Sequence, residues 1–502
     1  MIMLHHQKFG VYDSNTIYNM QQIDEILSFI SGMLWGWPMI ILLLGTHIYL
    51  TIRLRFPQRH IFKAIRLSVS RDKNSKGDVS QFAALSTALA ATIGTGNIVG
   101  VGTAIALGGP GAVFWCWITG VLGISTKYGE ALLAVKYRIK GQDGRMLGGP
   151  MYALEHGLAS KSSGVMRYVW NGLALAFAFF TAVATFGIGS TVQANAISTM
   201  SYETLGVSPV VIGGIVTILA AAVIMGGVKS IGRCCEMLVP FMAALYIGGC
   251  VVILILNSEY LLPALKLIVS SAFDPTAAGG GFVGSSIMLA ARYGIARGLF
   301  SNESGLGSAP LVAAAAQTKN PVRQALVSSS GTFWDTVVIC AITGLVVVSS
   351  VLAYPDINMS DGGVLTKMAF SKIPYVGEPL LMFGSLTFAF STIIGWSYYG
   401  ERGMEYLANK VLLRRKNAQT KAVAEAKEQN SRSVRGVLNA YRVVFLITVY
   451  LGAVVSLDLV WNLADIFNAL MAIPNLLSLL FLSGVIVYET RKYLWDDKLD
   501  SE

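Results

Sequence analysis

The sequence predicts an all-α integral membrane protein of eleven transmembrane helices, ten of them in two inverted units of five and the first standing apart as an accessory. Three observations predict it. The composition is too apolar for a soluble domain, basic residues alternate with the apolar runs, and two runs five spans apart are interrupted by glycine and polar residues.

The chain has 502 residues, 54% of them hydrophobic and only 13% charged, with a mean hydropathy of +0.59, well above a soluble domain. Its net charge of +10 does not indicate a nucleic-acid partner, because the basic residues lie between apolar runs rather than on one face of a soluble module. Cys116, Cys234, Cys235, Cys250 and Cys340 fall inside or beside apolar segments without metal-ligand spacing, and read as small buried hydrophobes. Residues 1–28 lack the basic start, short apolar core and cleavage site of a signal peptide, so the first hydrophobic run is expected to be retained.

Apolar runs near the length of a bilayer core fall at 29–52, 81–107, 111–135, 168–195, 207–228, 234–256, 284–316, 326–352, 379–400, 441–457 and 464–488. Alternate loops then hold 31 of the 38 basic residues; the opposite loops hold Lys8, Lys266, Lys367 and Lys372. Cytoplasmic loops retain Lys and Arg, so the N-terminus is expected outside and the C-terminus inside. The expected organisation is a tail, accessory helix and basic loop (1–80), a first five-helix unit (81–256), an extracellular connector (257–283), a second unit (284–488) that includes a polar cytoplasmic loop at 401–442, and a cytoplasmic tail (489–502).

The second and seventh runs carry the chemistry. TIGTGNIVG at 92–100 places three glycines and an asparagine at membrane depth, and the seventh run contains Gly294, Gly298, Gly305, Gly307 and Pro310 with Arg292, Arg297, Asn302 and Glu303. Glycine costs a helix interior about 1 kcal/mol relative to alanine. An odd separation of five spans makes the two helices antiparallel, and paired interrupted segments mark a secondary transporter with its site near mid-membrane. Unwinding near Gly94 to Asn97 frees carbonyls around Ala90 to Ile93, which suit a cation, and N–H groups that suit a carboxylate. Thr95 and Asn97 add side-chain hydrogen bonds, and Gly94 and Gly96 allow close approach. Two other readings stay open: Gly96 and Gly100 also form a GxxxG helix-packing pair, and polar breaks also line channels. A dinucleotide loop is excluded, since Val99 stands where the third glycine is required.

Charges inside the runs have duller readings. Lys127 and Glu130, three apart, are expected as a structural pair; Arg297 and Glu303 are expected to contribute to a gate; Asp335, near the start of the eighth run, is expected to pair with a basic residue. A proton relay through these acids is the competing reading. No HExxH, GxSxG or His–carboxylate cluster suggests an enzyme.

GGPGAVFWCWITGVLG (108–123) closely resembles the signature of the alanine or glycine:cation symporters, bacterial and archaeal sodium-coupled carriers of small amino acids. TALAATIGTGNIVGV, GGPMYALEHG, VQAN, ARGLFSNESGLGSAP and GWSYYGER look like the same family and extend across nearly the whole chain. The chain departs from the family pattern at Cys116, commonly Met, and at Ser190, commonly Asn near the substrate region, which leaves the preferred amino acid open. The resemblance implies a leucine-transporter-like fold of ten core helices in inverted repeats of five. It also implies a plasma-membrane symporter importing alanine or glycine with Na+ as the co-transported ion, without organic cofactor or obligate protein partner. Carried over by motif, sodium falls between the carbonyls of Ala90 and Ile93 and the hydroxyls of Ser391 and Thr392. Substrate falls on Gly94, Thr95, Gly96, Asn97, Gln193 and the stretch Phe300, Ser301, Asn302, with Trp396 limiting side-chain volume. A proton-coupled carrier is the first alternative and an ion channel the second.

Overall fold

A computed structural model describes residues 14–70, 72, 75–141, 143–274, 287–359, 361–416, 423–455 and 458–501. Lys8, part of the connector (275–286) and part of the polar loop at 401–442 (417–422) lie outside the described residues.

Among the described residues the fold is all-α apart from one two-residue strand pair, β1 (Ile139–Lys140) with β2 (Met146–Leu147). In chain order the helices are α1 (Ser14–Leu34), α2 (Trp37–Arg53), α3 (Ile61–Ser68), α4 (Gln81–Thr92), α5 (Val101–Gly108), α6 (Gly111–Lys136), α7 (Gly164–Ala184), α8 (Val192–Leu205), α9 (Pro209–Ile224) and α10 (Gly227–Leu256). The second half holds α11 (Ser258–Ser271), α12 (Ile287–Asn302), α13 (Pro310–Ala313), α14 (Pro321–Thr332), α15 (Ala341–Ala353), α16 (Leu365–Phe370), α17 (Gly377–Lys416), α18 (Val423–Val454), α19 (Asp458–Phe481) and α20 (Ser483–Thr490).

Among the described residues seven helices are long and apolar enough to cross a membrane: Gln22–Arg53, Gly164–Leu205, Gly227–Leu256, Pro321–Ala353, Gly377–Val411, Arg432–Val454 and Val460–Phe481. The bent pair of α4 and the stretch Gly96–Gly108, 54° apart, makes an eighth if it is one span. The other expected spans differ for visible reasons. α9 and α12 have 16 residues each, and α6 carries Lys127 and Glu130 within its length.

Local signals set the ends that matter. Ser80 caps α4, its hydroxyl accepting from Ala83 N at 2.9 Å, and Asn320 caps α14 with Pro321 at its first position. α17, the 40-residue helix, packs on α4, α7, α8 and α10, while α6 packs on α2, α12 and α14. Glycine permits these contacts: a Cβ at Gly294 or Gly298 on α12 would stand 2.2 Å from Ala112 O or 1.9 Å from Thr119 Oγ1 on α6. At one end of the molecule the strand before α4 is bonded to the stretch after α13. Val79 pairs in parallel with Ala316, Asp78 N donates to Ala315 O at 2.7 Å, and Arg138 donates to the carbonyls of Ala314, Ala316 and Lys76 at 2.8–3.0 Å.

Candidate functional site

The first break opens between α4 and the π-turn Gly96–Gly100 that leads into α5. Ile93 N still closes onto Leu89 O at 2.7 Å, but Gly94 N, which would close onto Ala90 O, donates to Asn97 Oδ1 at 2.9 Å. Ile93 is extended (ψ 94), which turns its carbonyl out of the helical row. The freed Ala90 carbonyl faces two hydroxyls of α17, Ser391 Oγ at 3.2 Å and Thr392 Oγ1 at 3.1 Å. Both hydroxyls also reach Phe388 O, at 2.8 and 3.0 Å. A hydroxyl has one proton. Donating it to Phe388 O leaves lone pairs of Ser391 and Thr392 facing the Ala90 carbonyl, a cluster of hard oxygen atoms.

The second break runs from 303 to 309, between α12 and α13, with positive φ at Glu303 (53°), Gly305 (96°) and Gly307 (84°). Here too the N–H groups that would continue the helix are diverted. Ser304 N donates to Asn302 Oδ1 at 2.9 Å, Gly305 N to Glu130 Oε1 at 3.0 Å, and Leu306 N to Glu303 O at 3.2 Å. The carbonyls of Phe300, Ser301 and Asn302 are thereby released from helix closure. Glu130 Oε1 also accepts from Gly307 N at 3.0 Å and Asn475 Nδ2 at 2.6 Å.

Between the breaks lies a cavity of about 20 Å³, little more than the roughly 10–15 Å³ one water needs. Its walls come from Thr92, Gly94, Thr95 and Gly96 on one side and Phe300, Ser301 and Glu303 on the other, closed by Ile188, Gln193, Thr392, Trp396 and Asn468. Three buried polar atoms of this wall lack hydrogen bonds within the protein: Gln193 Oε1, Trp396 Nε1 and Asn468 Oδ1. Buried polar atoms are normally paired, so three unpaired ones around one small space mark a place built for a polar ligand. Gln193 is aimed by its own helix, its Nε2 donating to Ile188 O at 3.1 Å across the π-turn Thr185–Thr191. The Trp396 indole is seated against Gly189, where a Cβ would meet Trp396 Cβ at 2.3 Å.

The structure gathers Ala90, Ser391 and Thr392 in one place, and Gly94, Thr95, Gly96, Gln193, Phe300, Ser301 and Trp396 around one cavity. It departs from the sequence expectations at three points. Asn97 is not free to hold a ligand through its side chain: its Oδ1 takes Gly94 N and its Nδ2 donates to Asp335 Oδ1 at 2.7 Å. The backbone N–H of Asn97 closes onto Gly94 O at 3.2 Å, which leaves Thr95 and Gly96 as the unclaimed donors of this turn. Among the described residues Asp335 pairs with no basic residue; buried in a π-turn at Phe333–Cys340, it accepts from Asn97, from Ser301 Oγ at 2.9 Å and from Thr336 Oγ1 at 2.7 Å. Lys127 and Glu130 form no ion pair, because Glu130 is taken up by the second break and Lys127 Nζ has no partner. Of the two residues expected at a gate, Arg297 lies near Asp465 of α19, which attracts it, and Glu303 lines the cavity, its Oε2 accepting from Ser308 Oγ at 2.5 Å.

Sequence reasoning missed Ile188, Gly189 and Asn468. Asn468 carried a usable signal, a lone amide in the apolar run ADIFNALMA, since polar groups at membrane depth face a protein interior or a cavity.

The chain resembles known proteins over most of its length. The sodium/alanine symporter AgcS of Methanococcus maripaludis is 47% identical over 473 residues, covering 93% of this chain and 97% of that one. A probable sodium/glutamine symporter, GlnT of Bacillus subtilis, is 36% identical over 94% of this chain and 91% of its own. Among solved structures, a substrate-bound outward-open Na+-coupled sialic acid symporter superposes with a TM-score of 0.46 at 14% identity, covering 91% of this chain and 86% of that one. Residues 20–502 match the family described as the sodium:alanine symporter family, and the chain belongs to that family.

Proposed function

We propose that the chain carries sodium and a small neutral amino acid together, the ion at Ala90, Ile93, Ser391 and Thr392 and the amino acid in the cavity between the two breaks. Its family makes it a sodium-coupled symporter and not an enzyme. The observation that carries the site assignment is the facing of three oxygens, Ala90 O, Ser391 Oγ and Thr392 Oγ1, beside a cavity rimmed by unpaired polar atoms. The N–H groups of Thr95 and Gly96, at the start of a helical segment, suit the carboxylate; the released carbonyls of Phe300 and Ser301 suit the ammonium.

Alanine is the proposed substrate, in keeping with the name of the 47% identical relative. The walls argue against larger side chains: Trp396 is seated against Gly189, and Ile188 and Phe300 close the remaining space. The full topology we propose is eleven spans, an accessory helix followed by two inverted units of five (81–256 and 284–488), with the N-terminus outside and the C-terminus in the cytoplasm of a bacterial or archaeal cell. Alternating access then arises by one group of helices rocking against the other. Occupation of the two sites is reciprocal: sodium tightens amino-acid binding by the factor by which the amino acid tightens sodium.

Uptake of labelled alanine into proteoliposomes, with and without an inward sodium gradient, tests this reading. Sodium-driven accumulation, competed by glycine and other small amino acids and absent at zero sodium, is the expected result. Accumulation driven by a proton gradient alone would replace sodium with protons as the coupling ion. Unsaturable flux without sodium dependence would indicate a channel.

A further inference from the structure

One wall residue of the cavity stands out by its charge. Glu303 is buried (4% exposed), lines the cavity, and enters no ion pair among the described residues. Ser308 Oγ donates to one of its oxygens, and the Trp396 indole N–H is directed at the carboxylate. The charged groups around it are Lys127, which attracts it without touching it, and Asp335, which repels it. A carboxylate withdrawn from water is strongly disfavoured unless a cation faces it, and the space in front of this one is the cavity itself.

From this we infer that Glu303 is the anionic anchor for the ammonium group of the transported amino acid, an inference that rests on the substrate reading above. The surroundings favour an ammonium over a metal ion. Directional single acceptors, Gln193 Oε1 and Asn468 Oδ1, look onto the same space without partners, and the carbonyls of Phe300 and Ser301, released by the turn in which Glu303 itself adopts φ 53, precede it in the chain. Tetrahedrally arranged N–H donors can satisfy several such acceptors at once. The opposite wall offers the N–H groups of Thr95 and Gly96, so the zwitterion lies with its carboxylate on the first break and its nitrogen on the second. Selectivity for a protonated amine, rather than for any small carboxylic acid, then resides in one side chain.

Equilibrium binding of labelled alanine to the purified full-length protein at saturating sodium, for wild type and Glu303→Gln, tests the inference. The variant is expected to bind alanine at least tenfold more weakly at an unchanged half-saturating sodium concentration, with sodium-dependent thermal stabilisation retained as evidence of folding. Propionate and lactate match alanine in size and carboxylate but lack the ammonium group; their disadvantage against alanine in competition should shrink in the variant. Alanine affinity equal to wild type overturns the inference, as does a variant that loses only sodium affinity, which would make Glu303 an ion ligand. Should Glu303→Gln not fold, the wild type still decides: lactate or propionate competing within a fewfold of alanine removes the need for an anionic anchor. Failure of the wild type to bind alanine in sodium would instead sink the substrate reading itself.

Discussion

The two breaks meet the same physical demand in opposite ways. Each opens a helix at membrane depth and must find partners for the liberated amides and carbonyls. The first break is short and neutral. One side chain, Asn97, reaches back three residues to Gly94 N, and no charge of its own stretch takes part. The second is longer and charged: a carboxylate from another helix, Glu130, takes two amides and Asn475, while Glu303 projects into the cavity. A neutral break leaves its released oxygens, buried at Ala90, Ser391 and Thr392, without a charged partner, which suits the reversible cation site proposed above. A charged break ties its backbone down through Glu130 and places a second carboxylate, Glu303, at the cavity. On the proposed reading the asymmetry gives the two elements different tasks, ion release to one and amine recognition to the other.

The sharpest way to break this contrast is Glu130→Ala. It strands Gly305 N and Gly307 N and leaves Asn475 Nδ2 with only its bond to Gly305 O; each buried donor left unpaired costs about 1–3 kcal/mol, so thermal denaturation in detergent should show severe destabilisation. Glu130→Gln, which keeps an acceptor, should lose far less. Asn97→Ala comes next. It unpins Gly94 N and deprives Asp335 of a donor, about 2 kcal/mol in all, read as a more than tenfold fall in alanine uptake by protein that remains folded. Removing one oxygen of the proposed ion site, as in Ser391→Ala or Thr392→Ala, should raise the sodium concentration for half-maximal uptake about tenfold, equivalent to about 1.4 kcal/mol. Smallest is Gly96→Ala, whose Cβ would make ordinary contact with Phe300 at 3.6 Å; uptake should change less than threefold. A large loss there would show that the first break tolerates no side chain and is less open than its geometry implies.

Much of this arrangement was legible in the residues. Apolar length and the glycine clusters locate both interruptions, because helix cost and bilayer depth are local properties. The substrate stretch of the second was expected at Phe300 to Asn302, and the break itself lies at 303–309: α12 runs to its last turn, and the left-handed residues Glu303, Gly305 and Gly307 make the opening. Partners distant in the chain were not legible. Nothing near Asn97 reveals that Asp335, 238 residues away, consumes its amide, and nothing near Glu130 reveals that it serves Gly305 and Gly307 rather than Lys127. Side-chain placement at such sites depends on which helices touch, and a single sequence does not fix those contacts. The size of the pocket was half legible: Trp396 stood out as a rigid wall, but its footing on Gly189 depends on the packing of α17 against the π-turn of another helix.

The short parallel pairing of Val79 with Ala316, reinforced by Arg138, has a mechanical consequence. It yokes the lead-in of α4 to the run-out of α13, so a tilt in one half-helix drags the other along. On the proposed reading the pair would act as a single lever hinged at the two interruptions, so that its swing would reach the ion site and the amino-acid site together.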